Sequence, residues 1–109
     1  MAEEQKPKLN GANSLDVTLQ KAVIANGEET KTLTFREPTG ADIERAGSPV
    51  IYDMSTDPPT ERYDTKAMTQ MMALLATVPP STIRQMSGSD WEWAALQIKY
   101  RFFLPGRQM

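Results

Sequence analysis

A chain of 109 residues with a net charge of −2 has the size of one domain. It contains no cysteine and no histidine, which excludes disulfides, thiolate chemistry, the commonest metal ligand and the commonest general base. The slightly acidic balance argues against a dedicated nucleic-acid binder, which carries a basic stripe. The apolar runs are too short to cross a bilayer, and the opening MAEEQKPKLNGANS lacks the apolar stretch of a secretory signal. A cytoplasmic protein without membrane contact is expected.

Residues 1–14 are polar, with Pro7 and Gly11, and read as a flexible N-terminal tail. Residues 15–36 read as a β-hairpin. Leu15, Val17 and Leu19 alternate with polar residues, as do Leu33 and Phe35, and Asn26-Gly27 is a turn signal between them. A two-residue loop would pair Leu19 with Thr34 and split the apolar sets between the two faces. A three-residue loop, Ala25-Asn26-Gly27, pairs Leu19 with Leu33 and Val17 with Phe35 on one face, and is the expected register. Ala22, Val23 and Ile24 break the alternation, so a bulge or a packed neighbour is open there.

Residues 39–47 read as a short helix with Thr39 as N-cap, Asp42 in the first turn and Gly47 as the stop. Ile43 and Ala46 form its narrow apolar face, and Glu37, Asp42 and Glu44 match no metal-ligand spacing. In 48–63, Val50, Tyr52 and Met54 alternate before the Asp57-Pro58-Pro59 turn, and a second short hairpin and an irregular flap both fit.

From Asp64 to Val78, Met68, Met71, Met72 and Leu75 repeat at i, i+3, i+4 and i+7, a helical stripe. It reads either as core or as an adaptable partner groove, since methionine packs readily against irregular shapes. Pro79-Pro80 ends that helix, and 80–86 forms a short one with Ile83 and Met86 inward and Gly88 as stop. Ser89-Asp90-Trp91-Glu92 reads as a capping box with Ser89 at the N-cap. The helix then runs to about Phe103, and Pro105-Gly106 ends it, leaving 105–109 as a tail. At about 100° per residue, Trp91, Ala95, Ile98 and Phe102 share one line, and Trp93, Leu96, Tyr100 and Phe103 share the opposite one. Such a helix is either central to the fold or keeps one face for another chain.

The fold class expected is α+β: an N-terminal β-hairpin packed on a C-terminal bundle of about three helices, in one domain over 15–104. Catalytic arrangements built on histidine or cysteine are absent, the glycines are isolated, and the carboxylates sit at caps and turns. No enzyme activity, cofactor or metal is expected. Lys99, Arg101 and Arg107 beside Tyr100 and Phe102 read as cations snorkelling along a helix edge rather than as a nucleic-acid stripe.

The order of features is itself informative. LTFREPTGADI at 33–43, VPPSTIRQM at 78–86, DW at 90–91 and FF at 102–103 follow one another at set spacings. In this the chain resembles the tail assembly chaperone family of long-tailed phages and prophages, the Mu-like tail assembly protein group, over 15–104. The resemblance implies a non-catalytic protein of virion assembly that binds the long helical tape measure protein before tail tube subunits polymerise around it. It also implies contact with tail tube protein, work in the host cytoplasm, and absence from the finished particle. Many relatives have a longer frameshifted product. The partner-facing or self-association stripe expected on this reading is Trp93, Leu96, Tyr100 and Phe103. Two other classes compete: a small structural component of the tail or connector, and a small DNA-binding regulator or antitoxin.

Overall fold

The computed structural model describes residues 14–103. The tails expected at 1–14 and 105–109, Ser14 excepted, and the helix stop at Pro105-Gly106 lie outside the described residues. The element order is β1 (Leu15–Ala25), β2 (Glu28–Phe35), α1 (Gly40–Ala46), β3 (Val50–Asp53), β4 (Thr60–Tyr63), α2 (Thr65–Ala76), α3 (Pro80–Arg84) and α4 (Gly88–Phe102). Two antiparallel hairpins, β1–β2 and β3–β4, stand beside three C-terminal helices, so the architecture is α+β. Among the described residues no helix is long and apolar enough to cross a membrane.

The first hairpin corrects the expected register. Its loop is the two residues Asn26 and Gly27, both at positive φ, 54° and 84°, the turn whose twist matches the flanking strands. Ala25 pairs with Glu28 and Val23 with Thr30 near the turn; Val17 pairs with Leu33 and Leu15 with Phe35 at the far end. Between these stretches, residues 19–22 of β1 stand against Lys31 alone. Three extra residues therefore lie on β1. Because three is odd, the insertion restores Val17, Leu33 and Phe35 to one face despite the short loop. The parity conflict is resolved by a bulge, not by a longer loop.

The bulge exposes backbone donors, and the helices supply their partners. The Gln20 and Lys21 amides donate to the Asp90 carboxylate at 3.0 Å. Just past the bulge, the Ile24 amide donates to Gln85 Oε1 at 2.8 Å, and Thr82 Oγ1 donates to the Ile24 carbonyl at 2.9 Å. Strand β1 is thus held to α3 and α4 by polar contacts where its own pairing fails.

Helix α1 starts as the sequence suggests. Thr39 caps it, with Asp42 completing the reciprocal box, and Gly47 ends it at φ 88°. Residues 50–63 form the second hairpin rather than an irregular flap, with Val50 opposite Tyr63 and Asp53 opposite Thr60. Met54 is not a strand residue as the alternation suggested; it lies just past Asp53, in the tip. The Asp64 side chain caps α2 by accepting from the Ala67 amide at 3.1 Å.

The methionine stripe of α2 is core. Met68, Met71 and Met72 are fully buried, together with Leu75, Phe35, Ile83 and Ile98. The groove alternative is therefore set aside. Its packing partners are the apolar faces of β1 and β2, Ile83 and Met86 of α3, and Ala94, Ala95 and Ile98 of α4.

The start of α4 differs from expectation by two residues. Ser87, not Ser89, is the N-cap, accepting from the Asp90 amide at 3.2 Å. Gly88 is the first helical residue instead of a stop, and Gln85 caps the end of α3. Asp90 rather than Glu92 then holds the third helical position, which aims its carboxylate at the β1 bulge. Ser87→Ala is expected to cost about 1 kcal/mol and Ser89→Ala less than about 0.5 kcal/mol in urea denaturation, the reverse of a Ser89 cap.

Candidate functional site

Helix α4 buries Asp90, Ala94, Ala95 and Ile98, an arc wide enough to seat it on the core. Trp91 and Phe102 flank that arc and are half-buried. On the opposite side Trp93 is 52% exposed and Tyr100 56% exposed. They stand two helical turns apart, about 10.5 Å along the axis, with half-buried Leu96 between them. Phe103, the fourth residue of the expected stripe, has left the helix: it is the C-cap at φ −129°, half-buried against the core. Its carbonyl accepts from the Tyr52 hydroxyl of β3. The exposed part of the stripe is therefore Trp93 and Tyr100.

The stripe is framed by charge. Lys99 ion-pairs with Glu61 of β4, and its ammonium lies 4.9 Å from the centre of the Tyr100 ring. The Glu61 carboxylate raises the Lys99 pKa above its ordinary value, so this cation persists through the physiological range. Beside Trp93, a pocket of about 310 Å³ is bounded by Thr18 and Gln20 of β1 and by Ser89 and Asp90 of α4.

A second surface lies at the other side of the α4 N-terminus. Thr65, Lys66 and Gln70 of α2, Arg84 of α3, and Trp91 and Glu92 of α4 line a groove of about 540 Å³. The Trp91 ring is fixed there. Its Nε1 donates to Thr69 Oγ1 at 3.1 Å, and the Tyr63 ring meets it edge-on at 6.1 Å and 86°. Neither this groove nor the exposed Met54, at 74%, was singled out from sequence. The groove is built from three successive helices, α2, α3 and α4, and it is their packing rather than any single helix's pattern that forms it.

Two buried carboxylates hold the scaffold under these surfaces. Asp42 accepts two bonds from Arg36, at 2.7 and 3.0 Å, and one each from the Thr39 amide and hydroxyl. The Arg36 guanidinium holds the Asp42 carboxyl well below the usual carboxylate range. The same guanidinium reaches the Leu74 carbonyl, and the Arg36 amide donates to the Leu75 carbonyl, tying β2 and α1 to the end of α2. Burial pushes the Asp90 carboxyl up, but the amides of Gln20 and Lys21, the Ser87 hydroxyl and the Lys31 charge together outweigh it and leave the pKa lowered. Among the described residues no group of three carboxylate, histidine or cysteine side chains could hold a metal ion.

A rigid scaffold carrying exposed aromatics and a groove is a protein-binding domain in form. The chain belongs to the family described as "Phage tail assembly chaperone proteins, E, or 41 or 14", which matches residues 16–105. This supports a role as a tail assembly chaperone, a non-enzymatic role, and binding to tail proteins in general. No match was found among curated proteins or among solved structures. The motifs that carried the resemblance prove to be the joints of the fold. Arg36, Thr39 and Asp42 form one, and Thr82, Gln85 and Asp90 form the other.

Proposed function

We propose that the chain is a tail assembly chaperone whose client is the tape measure protein, bound through the outer face of α4 before tail tube subunits assemble. The observation that carries this reading is the exposure of Trp93 and Tyr100 on one line of a helix seated firmly on the core. Two rigid aromatics two turns apart suit the apolar stripe of an amphipathic helical client. Leu96 and the edge of Phe103 widen the contact. Tail tube protein is the second partner on this reading, the host cytoplasm the place of action, and the finished particle lacks the protein.

The test is co-expression with the tape measure protein followed by co-purification. Trp93→Glu with Tyr100→Glu is expected to weaken binding at least about 30-fold, as loss of about 2 kcal/mol at a contact centre does. Because both residues are exposed, folding stability should shift by less than about 0.5 kcal/mol. A double variant that folds and still retains the tape measure protein at full strength sinks the assignment of the face. Detection of the chain in purified particles by mass spectrometry would favour a structural tail component instead.

A further inference from the structure

The second hairpin is lightly seated on the rest of the chain. Its strands are four residues each, too short for a two-stranded ribbon to persist alone in water. Of residues 50–63 only Val50 is buried, and 53–62 are all exposed. Val50 in the core, and the Asp64 amide on the Pro49 carbonyl at 2.9 Å, fix its base. Beyond the base, three polar or aromatic contacts tie it to α4. Tyr63 stands edge-on to Trp91, Glu61 pairs with Lys99, and the Tyr52 hydroxyl donates to the Phe103 carbonyl. Between them a cleft of about 330 Å³ stays open, bounded by Val50, Glu61, Arg62, Tyr63 and Lys99. A layer packed to interior density leaves no such space.

Phe103 is the side chain that this arrangement withholds. At about 100° per residue it would fall about 20° from Leu96 and one turn past Tyr100, on the outer face. It has instead left the helix at φ −129°, half-buried, with its carbonyl held by Tyr52. Its amide still donates to the Lys99 carbonyl at 2.9 Å. Only the torsions of Phe103 itself therefore separate it from one further helical residue. Lys99 is held back as well: its side chain is 11% exposed, against Glu61.

We propose that the second hairpin is a strap that holds Phe103 back from the outer face of α4 and is displaced when the client helix binds. This rests on the reading that α4 carries the client. With the strap lifted, Phe103 joins Trp93, Leu96 and Tyr100 in one apolar stripe, and Lys99 is released to meet an acidic residue of the client. The hairpin pivots on its base, because Val50 and the Pro49–Asp64 bond stand apart from the three contacts with α4. In the closed form only Trp93 and Tyr100 are offered, so a helix whose apolar face is too short to replace the strap binds weakly.

The cysteine-free chain allows the strap to be locked. Glu61→Cys with Lys99→Cys is bridged by a short reducible bismaleimide. The tape measure segment that co-purifies with the chain is then titrated by fluorescence anisotropy, with circular dichroism confirming the fold. Bridging should weaken binding at least about 10-fold, and reduction of the bridge should restore it. The same pair capped separately with N-ethylmaleimide should bind as the reduced pair does. Tyr52→Phe loses the bond to Phe103 and should bind about 2- to 5-fold tighter than wild type, because the open form is more populated. Equal affinity of the bridged and reduced chains overturns the strap, as does a Tyr52→Phe chain that binds no tighter than wild type. If Trp93→Glu with Tyr100→Glu still abolishes binding in either case, the α4 face stands and the strap alone fails.

Discussion

Asp90→Ala is expected to lower the folding free energy by about 3 kcal/mol, a large part of the margin of a domain this size. The carboxylate accepts from two consecutive amides of the β1 bulge, at 3.0 Å each, while only 3% exposed. Without it the Gln20 and Lys21 amides lose their acceptor, and because both residues are exposed each costs near the lower end of about 1–3 kcal/mol. The acidic charge at the start of α4 goes as well, worth about 0.3–1 kcal/mol. The melting temperature should fall by roughly 10–20 °C, read by calorimetry or circular dichroism. Asp90→Asn should recover part of the loss, because its Oδ1 can accept from both amides as one carboxylate oxygen does here, while the charge and the second contact to Gln20 are lost. A loss under about 1 kcal/mol for Asp90→Ala would show that the bulge does not depend on this joint.

Asp42→Ala is the second large effect, at about 2–3 kcal/mol. It removes a two-pronged partner from Arg36 and the reciprocal cap of α1 together. The guanidinium is half-exposed, so it regains water and the cost stays below that of a fully buried pair. Both carboxyls have pKa values lowered by folding. Groups of this kind add stability above the unfolded carboxylate pKa of about 3.9, and that contribution is lost as pH falls through the folded-state values. Urea denaturation from neutral pH to about pH 2 should therefore show stability dropping below about pH 4. Asp42→Asn and Asp90→Asn should each start lower at neutral pH and fall less steeply in acid. Parallel pH curves for wild type and both variants would exclude linkage through these two groups.

Much of the architecture was legible because local patterns are short-range physics. The α2 methionine stripe, the Thr39 cap with Asp42, and the Pro79-Pro80 break each lie within a few residues, and each is realised. The opposed faces of α4 were also readable from its 3.6-residue period, which leaves Trp93 and Tyr100 outward and Ile98 inward. The hairpin register was not readable, because parity can be met by a longer loop or by an odd bulge, and only a partner for the bulge amides decides between them. That partner is Asp90, 69 and 70 residues away. The α4 cap was misplaced for the same reason. Ser87-x-x-Asp90 and Ser89-x-x-Glu92 are equivalent as local strings, but only the first directs a carboxylate into β1.

The element order outside 48–63, the apolar faces and the exclusion of histidine- and cysteine-based chemistry are legible along the chain, since propensity, periodicity and composition are local; that 50–63 pairs as a hairpin is not. The tertiary structure alone decided where β1 bulges, which serine caps α4, how far Phe103 is covered, and that Lys66, Arg84 and Trp91 meet in a groove. These depend on distant groups satisfying one another's hydrogen bonds and sharing one enclosed volume, and no local spacing records which pairs will do so.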